Sequence, residues 1–77
     1  MNINDFIANF AELFDETGID EFKAETEFKQ LKEWSSMIAL SVMAMVDSEY
    51  DVQLKGSVFR DCNTILDLYN KILAGKG

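Results

Sequence analysis

The start of the chain alternates between apolar and polar residues with steps of three and four positions. Such spacing predicts an amphipathic helix with one buried stripe. The apolar members of this stripe are Ile3, Phe6, Ile7, Phe10, Leu13 and Phe14. Asn2 or Asn4 can cap the start of the helix, and Thr17-Gly18 predicts its end.

From residue 19 to residue 34 this periodicity is lost. Phe22, Phe28 and Trp34 are spread there among many charged residues. We interpret the stretch as a long surface connection that includes a helical turn and is pinned to the core by its aromatic side chains. Connections of this length are uncommon in compact domains and are often functional.

A nearly uncharged apolar run follows the serine pair Ser35-Ser36 and continues to about Tyr50, which predicts the second helix. A helical wheel places Ala39, Val42, Met43, Val46 and Tyr50 on one side. The opposite side holds Met37, Leu40, Ser41, Ala44, Asp47 and Ser48. The polar members of the second side indicate that it faces solvent. An exposed apolar strip that includes an adaptable methionine is typical of a docking surface, although small exposed patches can also be incidental.

The stretch after the second helix has the pattern of a loop and a short helix. Val52 and Leu54 alternate inward in the loop, and Ser57 can cap a short helix. Phe59 and Cys62 are three positions apart, which predicts that both face the core.

The last helix opens at Thr64, with Asp67 at the spacing of a capping box, and is expected to close before Gly75. Its apolar stripe is formed by Ile65, Leu68, Tyr69, Ile72 and Leu73. Together these patterns predict an all-α fold, a small four-helix bundle of three longer helices and one short helix with a long first connection. We expect residues 1–77 to form a single domain.

The net charge of the chain limits the classes of partner that we expect. The chain has 7 basic and 14 acidic residues, which give a net charge of −7. Nucleic acids and anionic lipids are bound mainly through Lys and Arg, so neither is an expected partner. Basic protein surfaces are the expected partners, although net charge also serves solubility alone. The apolar run from residue 37 to residue 46 is too short to cross a bilayer, so we expect no membrane span.

The composition also argues against catalysis and metal binding. The chain has no His, its only Arg is Arg60, and it has no glycine-rich phosphate loop, so we expect no enzyme. Cys62 is the single cysteine and predicts no disulfide and no metal cluster. One free thiol without a secretory leader favours a reducing, cytoplasmic setting. The segment "DSEYD" fails the calcium-loop pattern, because Val52 and Val58 stand where Gly and Glu are required.

The serine pair has two interpretations. A serine at the start of a helix ordinarily caps free backbone N–H groups and does nothing else. The same position also favours negative charge, because those N–H groups and the helix dipole point outward. A hydroxyl there is therefore well placed to carry a phosphodiester.

The segment "EWSSMIALSVMAMVDSEYDVQL", followed by "CNTILDLYNKI", resembles the acyl carrier protein family from about Phe28 to Ile72. The family has an Asp-Ser-Leu motif opening the second helix, acidic and aromatic residues near that helix's end, and a Thr-capped last helix. Ser36-Met37 matches the Ser-Leu part of the motif. Asp47, Glu49 and Tyr50 match the helix end, and Thr64-Ile65 matches the last cap. The first helix agrees only in its apolar pattern.

The resemblance implies a function. Ser36 would receive 4′-phosphopantetheine from coenzyme A through a separate phosphopantetheinyl transferase, as a covalent cofactor. The arm would carry acyl thioesters between enzymes of fatty-acid, polyketide or related biosynthesis. The partner-binding residues would be Met37, Leu40, Ala44 and Asp47, which would meet acyl-loading and acyl-processing enzymes with basic and apolar docking surfaces. A monomer is expected, and the core between the helices is a candidate shelter for the acyl chain.

Two departures from the family leave alternatives open. Ser35 replaces the motif Asp, so a carboxylate near the transferase site is missing. The docking helix is also mostly neutral, whereas the family's is often strongly acidic. One alternative is a carrier-fold helical interaction module that is never modified, in which Ser36 is merely a helix cap. Another is an aminoacyl or peptidyl carrier, since the sequence does not identify the cargo.

Overall fold

The computed structural model describes residues 2–76, which form four α-helices and, within that range, no β-strand. The helices are α1 (Ile3–Ala11), α2 (Ser36–Tyr50), α3 (Val58–Asp61) and α4 (Ile65–Lys76). Two short 3-10 helices, Ile19–Glu21 and Phe28–Gln30, lie in the connection between α1 and α2. The predicted all-α bundle of three longer helices and one short helix is confirmed.

The core is built around aromatic rings. All six phenylalanines of the chain are buried. Phe10 lies at the centre, with its ring centroid 5.5–6.0 Å from those of four other phenylalanines, namely Phe6, Phe14, Phe22 and Phe28. The aliphatic side chains that complete the core from α2 and α4 are Val42, Val46, Ile65, Leu68 and Ile72. The connection between α1 and α2 thus contributes three of these rings, Phe14, Phe22 and Phe28, of which the sequence predicted the last two.

Two of the predicted caps form as hydrogen-bonded pairs. Asn2 caps α1, and its side-chain oxygen accepts from the Asp5 amide at 2.9 Å. At α4 the Thr64 hydroxyl accepts from the Asp67 amide at 3.1 Å, and the Asp67 carboxylate accepts from the Thr64 amide at 3.2 Å. The Asn63 amide donates to the same carboxylate, and these hydrogen bonds, that of Asn63 first, lower the pKa of Asp67. The capping box expected at Thr64 is therefore confirmed.

The end of α1 differs from the prediction. The helix ends at Ala11 instead of continuing to Thr17-Gly18. The amides of residues 13 and 14 donate to carbonyls three positions back, which tightens the chain into a turn. The amides of residues 15–17 do not continue the helix, because the carboxylate of Glu33 accepts all three of them.

The first connection is fastened to the start of α4. The Ile65 amide donates to the carbonyl of Thr26 at 3.1 Å, and the Leu66 amide donates to the carbonyl of Ala24 at 2.9 Å. These amides belong to the first turn of α4, where backbone donors have no partner inside the helix. The first connection therefore supplies acceptors for two backbone amides that have no partner within α4 itself.

The connection also contacts α3, which is a single helical turn. Ser57 precedes α3 as predicted, but its side chain forms no capping hydrogen bond. Instead, the Lys29 ammonium group donates to the carbonyl of Phe59, the second residue of α3, at 2.7 Å.

The end of α4 also corrects the prediction. The helix continues through Gly75 to Lys76, and Leu73 is 42 % exposed instead of belonging to the buried stripe. Gly75 does not stop the helix; it lies against the loop after α2. A Cβ atom at Gly75 would lie 3.0 Å from Cγ1 of Val52, so the small residue permits close packing there.

Candidate functional site

The two serines at the start of α2 have different structural roles. Ser35 is the N-cap residue with extended backbone angles, and its hydroxyl oxygen accepts from the Ile38 amide at 3.3 Å. Ser36 is the first residue of the helix, and it is exposed. Capping is therefore performed by Ser35, which leaves the Ser36 hydroxyl at the helix start facing solvent.

Trp34 fixes the position of this helix start. Its ring packs against Phe28, with centroids 4.8 Å apart, and against Phe59, with centroids 5.5 Å apart. The Trp34 amide also donates to the Leu31 carbonyl at 3.0 Å, which closes a turn immediately before the serines. The serine pair therefore follows a segment that is anchored in the aromatic core.

The first turn of α2 also carries no acidic side chain. The free backbone N–H groups and the positive end of the helix dipole are thus not neutralised by a carboxylate of that turn. The N-cap residue, Ser35, contributes a neutral hydroxyl. An added phosphate group on Ser36 would meet a favourable local field from the helix.

The sides of α2 are arranged as the helical wheel predicts. Val42 and Val46 are fully buried, whereas Met37 is 78 % exposed and Leu40 is 64 % exposed. Ala44 and Asp47 are exposed as well. We refer to Met37, Leu40, Ala44 and Asp47 as the α2 face. The wheel missed two further side chains, Ile38 and Met45, which are partly buried and pack against the core.

An open depression borders the α2 face. It is lined by Met43, Ala44, Asp47, Gln53 and Leu54. The last two residues come from the loop after α2, and they were not among the predicted site residues. Leu54 was expected to point inward, and it is partly buried.

The loop returns to this depression because of Asp51. This residue ends α2 in the left-handed conformation, with φ 57° and ψ 39°, and its amide donates to the Asp47 carbonyl. Asp and Asn adopt this conformation more readily than most residues, since a short polar side chain tolerates it. The turn therefore brings the following loop back alongside the C-terminal half of α2.

The chain matches no protein-family model, no curated protein and no solved structure.

Within residues 2–76, no helix combines the length and apolar character that crossing a bilayer requires. The same part of the chain holds no group of three or more His, Cys, Asp or Glu residues that could bind a metal ion.

One prediction tests the exposure of the α2 face without any partner. Leu40→Glu should change the free energy of unfolding by no more than about 0.5 kcal/mol, because Leu40 lies in solvent. Val46→Ala on the opposite side should cost roughly 1–3 kcal/mol, because it leaves a cavity in the core. Urea unfolding followed by circular dichroism measures both values. Equal losses in the two variants would place Leu40 in the core and remove the α2 face.

Proposed function

We propose that the protein is an acyl carrier whose Ser36 is modified with 4′-phosphopantetheine. In this reaction the Ser36 hydroxyl oxygen bonds to the phosphorus that carries the pantetheine arm of coenzyme A. The bond from that phosphorus to the oxygen bridging the next phosphate breaks, so the adenosine part of coenzyme A leaves with the remaining phosphates, and the hydroxyl proton passes to a base of the transferase or to water. A separate transferase catalyses the step, and the thiol of the arm then holds an acyl group as a thioester.

The observation that carries the proposal is the position of Ser36. It is exposed at the first position of α2, while Ser35 performs the capping that a lone serine would have to perform. Its hydroxyl is therefore available for modification. A phosphodiester at this position is stabilised by the free N–H groups and dipole of a helix whose first turn contains no carboxylate.

The α2 face supports the same proposal. Met37 and Leu40 present exposed apolar surface within the first two turns after Ser36, and Asp47 adds negative charge farther along the helix. Such a face suits enzymes whose docking surfaces combine apolar and basic groups, and the net charge of −7 assists their approach. We assign the protein a monomeric state, a cytoplasmic setting and acyl groups as its cargo.

The test is the intact mass of the protein after incubation with coenzyme A and a phosphopantetheinyl transferase of broad specificity. The native chain should gain the mass of one arm, and Ser36→Ala should gain none. Ser35→Gly is the matched control, because it removes the neighbouring hydroxyl while glycine costs a helix cap only a few tenths of a kcal/mol. This variant should still gain one arm. An arm that maps to Ser35, or that never forms with several transferases, would refute the proposal.

A second candidate function is favoured by the cap itself. Ser35 replaces the motif Asp, so no carboxylate is present at this position to contact a transferase. The Ser35 hydroxyl instead accepts from the Ile38 amide and stabilises α2. These features suit a helical interaction module that keeps the fold and the α2 face but carries no arm. The mass measurement separates the two functions. An aminoacyl or peptidyl cargo is distinguished afterwards by which activated acid the free thiol of the arm accepts.

A further inference from the structure

The carboxylate of Glu33 gathers hydrogen bonds from a segment distant in sequence. One oxygen, Oε2, accepts from the Asp15 amide at 3.0 Å. The other, Oε1, accepts from the Glu16 amide at 2.8 Å, from the Thr17 amide, and from the Thr17 hydroxyl at 2.6 Å. Glu33 immediately precedes Trp34, so this one side chain joins the stretch after α1 to the start of α2.

We propose that Glu33 and residues 15–17 form a pH-sensitive latch, which we call the Glu33 latch. With Glu33 ionised, the latch is closed and holds residues 15–17 against the segment that precedes α2. Protonation of Glu33 opens the latch and frees residues 15–17, while the aromatic core stays closed. The inference goes beyond the proposed function, because it does not depend on any modification of Ser36.

The hydrogen-bonding geometry explains why protonation opens the latch. An ionised carboxylate is an acceptor only, and here both of its oxygens face donors. Protonation replaces an acceptor site with an O–H donor and removes the charge that strengthens each remaining hydrogen bond. The neutral group therefore cannot satisfy the same set of four donors.

The hydrogen bonds that Glu33 accepts set the direction of the pH dependence. The depression that Glu33 lines is also lined by Glu16, Glu21 and Lys32, and the amide of Asp15 donates to the Glu33 carboxylate. The Thr17 hydroxyl, followed by the three backbone amides, lowers the pKa of Glu33 below the ordinary value of 4.5. Because the pKa is lowered in the folded protein, the latch is fully closed above this ordinary value. It opens as the pH falls through the lowered pKa.

The packing explains why the opening is local. Asp15 and Glu16 are exposed, so water can replace the carboxylate at their amides without unfolding the core. On either side of the latch, aromatic contacts that do not include Glu33 join the chain to the core. Phe14 packs on Phe22 with centroids 5.0 Å apart, and Trp34 packs on Phe28 with centroids 4.8 Å apart.

The experiment compares amide hydrogen exchange in the native chain and in Glu33→Gln at neutral pH, measured by NMR. The glutamine keeps one acceptor oxygen but turns an NH₂ group toward a backbone donor. Exchange at residues 15–17 should accelerate about tenfold or more, since a hydrogen bond to a charged group is lost. The Trp34 emission maximum and the helical circular dichroism should be unchanged. Glu27→Gln is the matched control, because it removes a charge from the same connection at a residue that forms no side-chain cap.

Three results would overturn the proposal. The first is amide exchange at residues 15–17 that is equally slow in the native chain and in Glu33→Gln. The second is an acceleration of this exchange in Glu27→Gln as large as that in Glu33→Gln. The third is a shift of Trp34 emission together with the exchange, which would mean that the core opens too. If Glu33→Gln does not fold, acidification of the native chain replaces it. Exchange at residues 15–17, corrected for its intrinsic pH dependence, must then increase before helicity is lost.

Discussion

Phe10→Ala is expected to lower the free energy of unfolding by about 3–5 kcal/mol, the usual cost of removing a fully buried phenylalanine ring. Phe10 has no exposed surface, and its ring is the one that four other phenylalanine rings surround. A chain of 77 residues has a total stability of roughly 4–12 kcal/mol. The substitution therefore removes much or all of the stability of the fold.

The measurement is urea unfolding followed by circular dichroism and by the fluorescence of Trp34. Phe10→Leu is the control, since it keeps an apolar side chain and should cost about 1–2 kcal/mol less than the alanine substitution. Both probes should report the same transition, because Trp34 packs on Phe28, a neighbour of Phe10. A loss below about 1 kcal/mol in Phe10→Ala would show that the core is not organised around this ring.

The thiol of Cys62 is expected to react with an aromatic disulfide reagent about a hundredfold to a thousandfold more slowly in the folded protein than in urea. Cys62 is fully buried. Burial, with a contribution from the negative charge of Asp67, raises the pKa of this thiol. Both the access of the reagent and the fraction of reactive thiolate are therefore reduced.

The rate is measured from the absorbance of the released reagent at fixed pH. Phe10→Ala provides an internal comparison: its larger unfolded population should restore rapid labelling of Cys62 without any change near the thiol. Folded native protein that reacts within a few-fold of the unfolded rate would contradict the burial of Cys62. In a pantetheine-loaded sample, the thiol of the arm should react first, which distinguishes the two thiols.

Local signals were sufficient for the elements whose partners are close in sequence. The bounds of α2 agree with the sequence analysis because Ser35 caps the helix and the apolar run stays helical to Tyr50. The capping box of Thr64 and Asp67 also lies within one helical turn. The two sides of α2 were predictable for the same reason, since helical periodicity alone assigns Met37 and Val46 to opposite sides.

Features that depend on distant residues could not be predicted. The apolar stripe of α1 continues to Phe14, so periodicity gave no sign that the helix ends at Ala11. That end depends on Glu33, which takes the amides of residues 15–17 from another part of the chain. The position of Gly75 against Val52 is likewise a tertiary contact, and the sequence alone suggested a helix stop there.

The candidate site was predictable in its placement only. Ser36 lies exposed at the start of α2, and Met37 and Leu40 lie exposed beside it, as the pattern indicated. The sequence did not show which of the two serines caps α2, because either hydroxyl could have done so. The contribution of Gln53 to the neighbouring depression depends on the left-handed turn at Asp51, which a helical wheel does not describe.

The hydrogen bonds from the first turn of α4 to Ala24 and Thr26 bear on the order in which the chain acquires structure. A helix of 12 residues is marginal by itself in water. The amides of Ile65 and Leu66 find their protein acceptors only after a long loop has closed, which costs chain entropy. During synthesis, the first connection leaves the ribosome before α4. The carbonyl groups of Ala24 and Thr26 therefore cannot accept from Ile65 and Leu66 until α4 has emerged. We therefore expect α4 and the first connection to acquire stable structure together, after α4 has emerged.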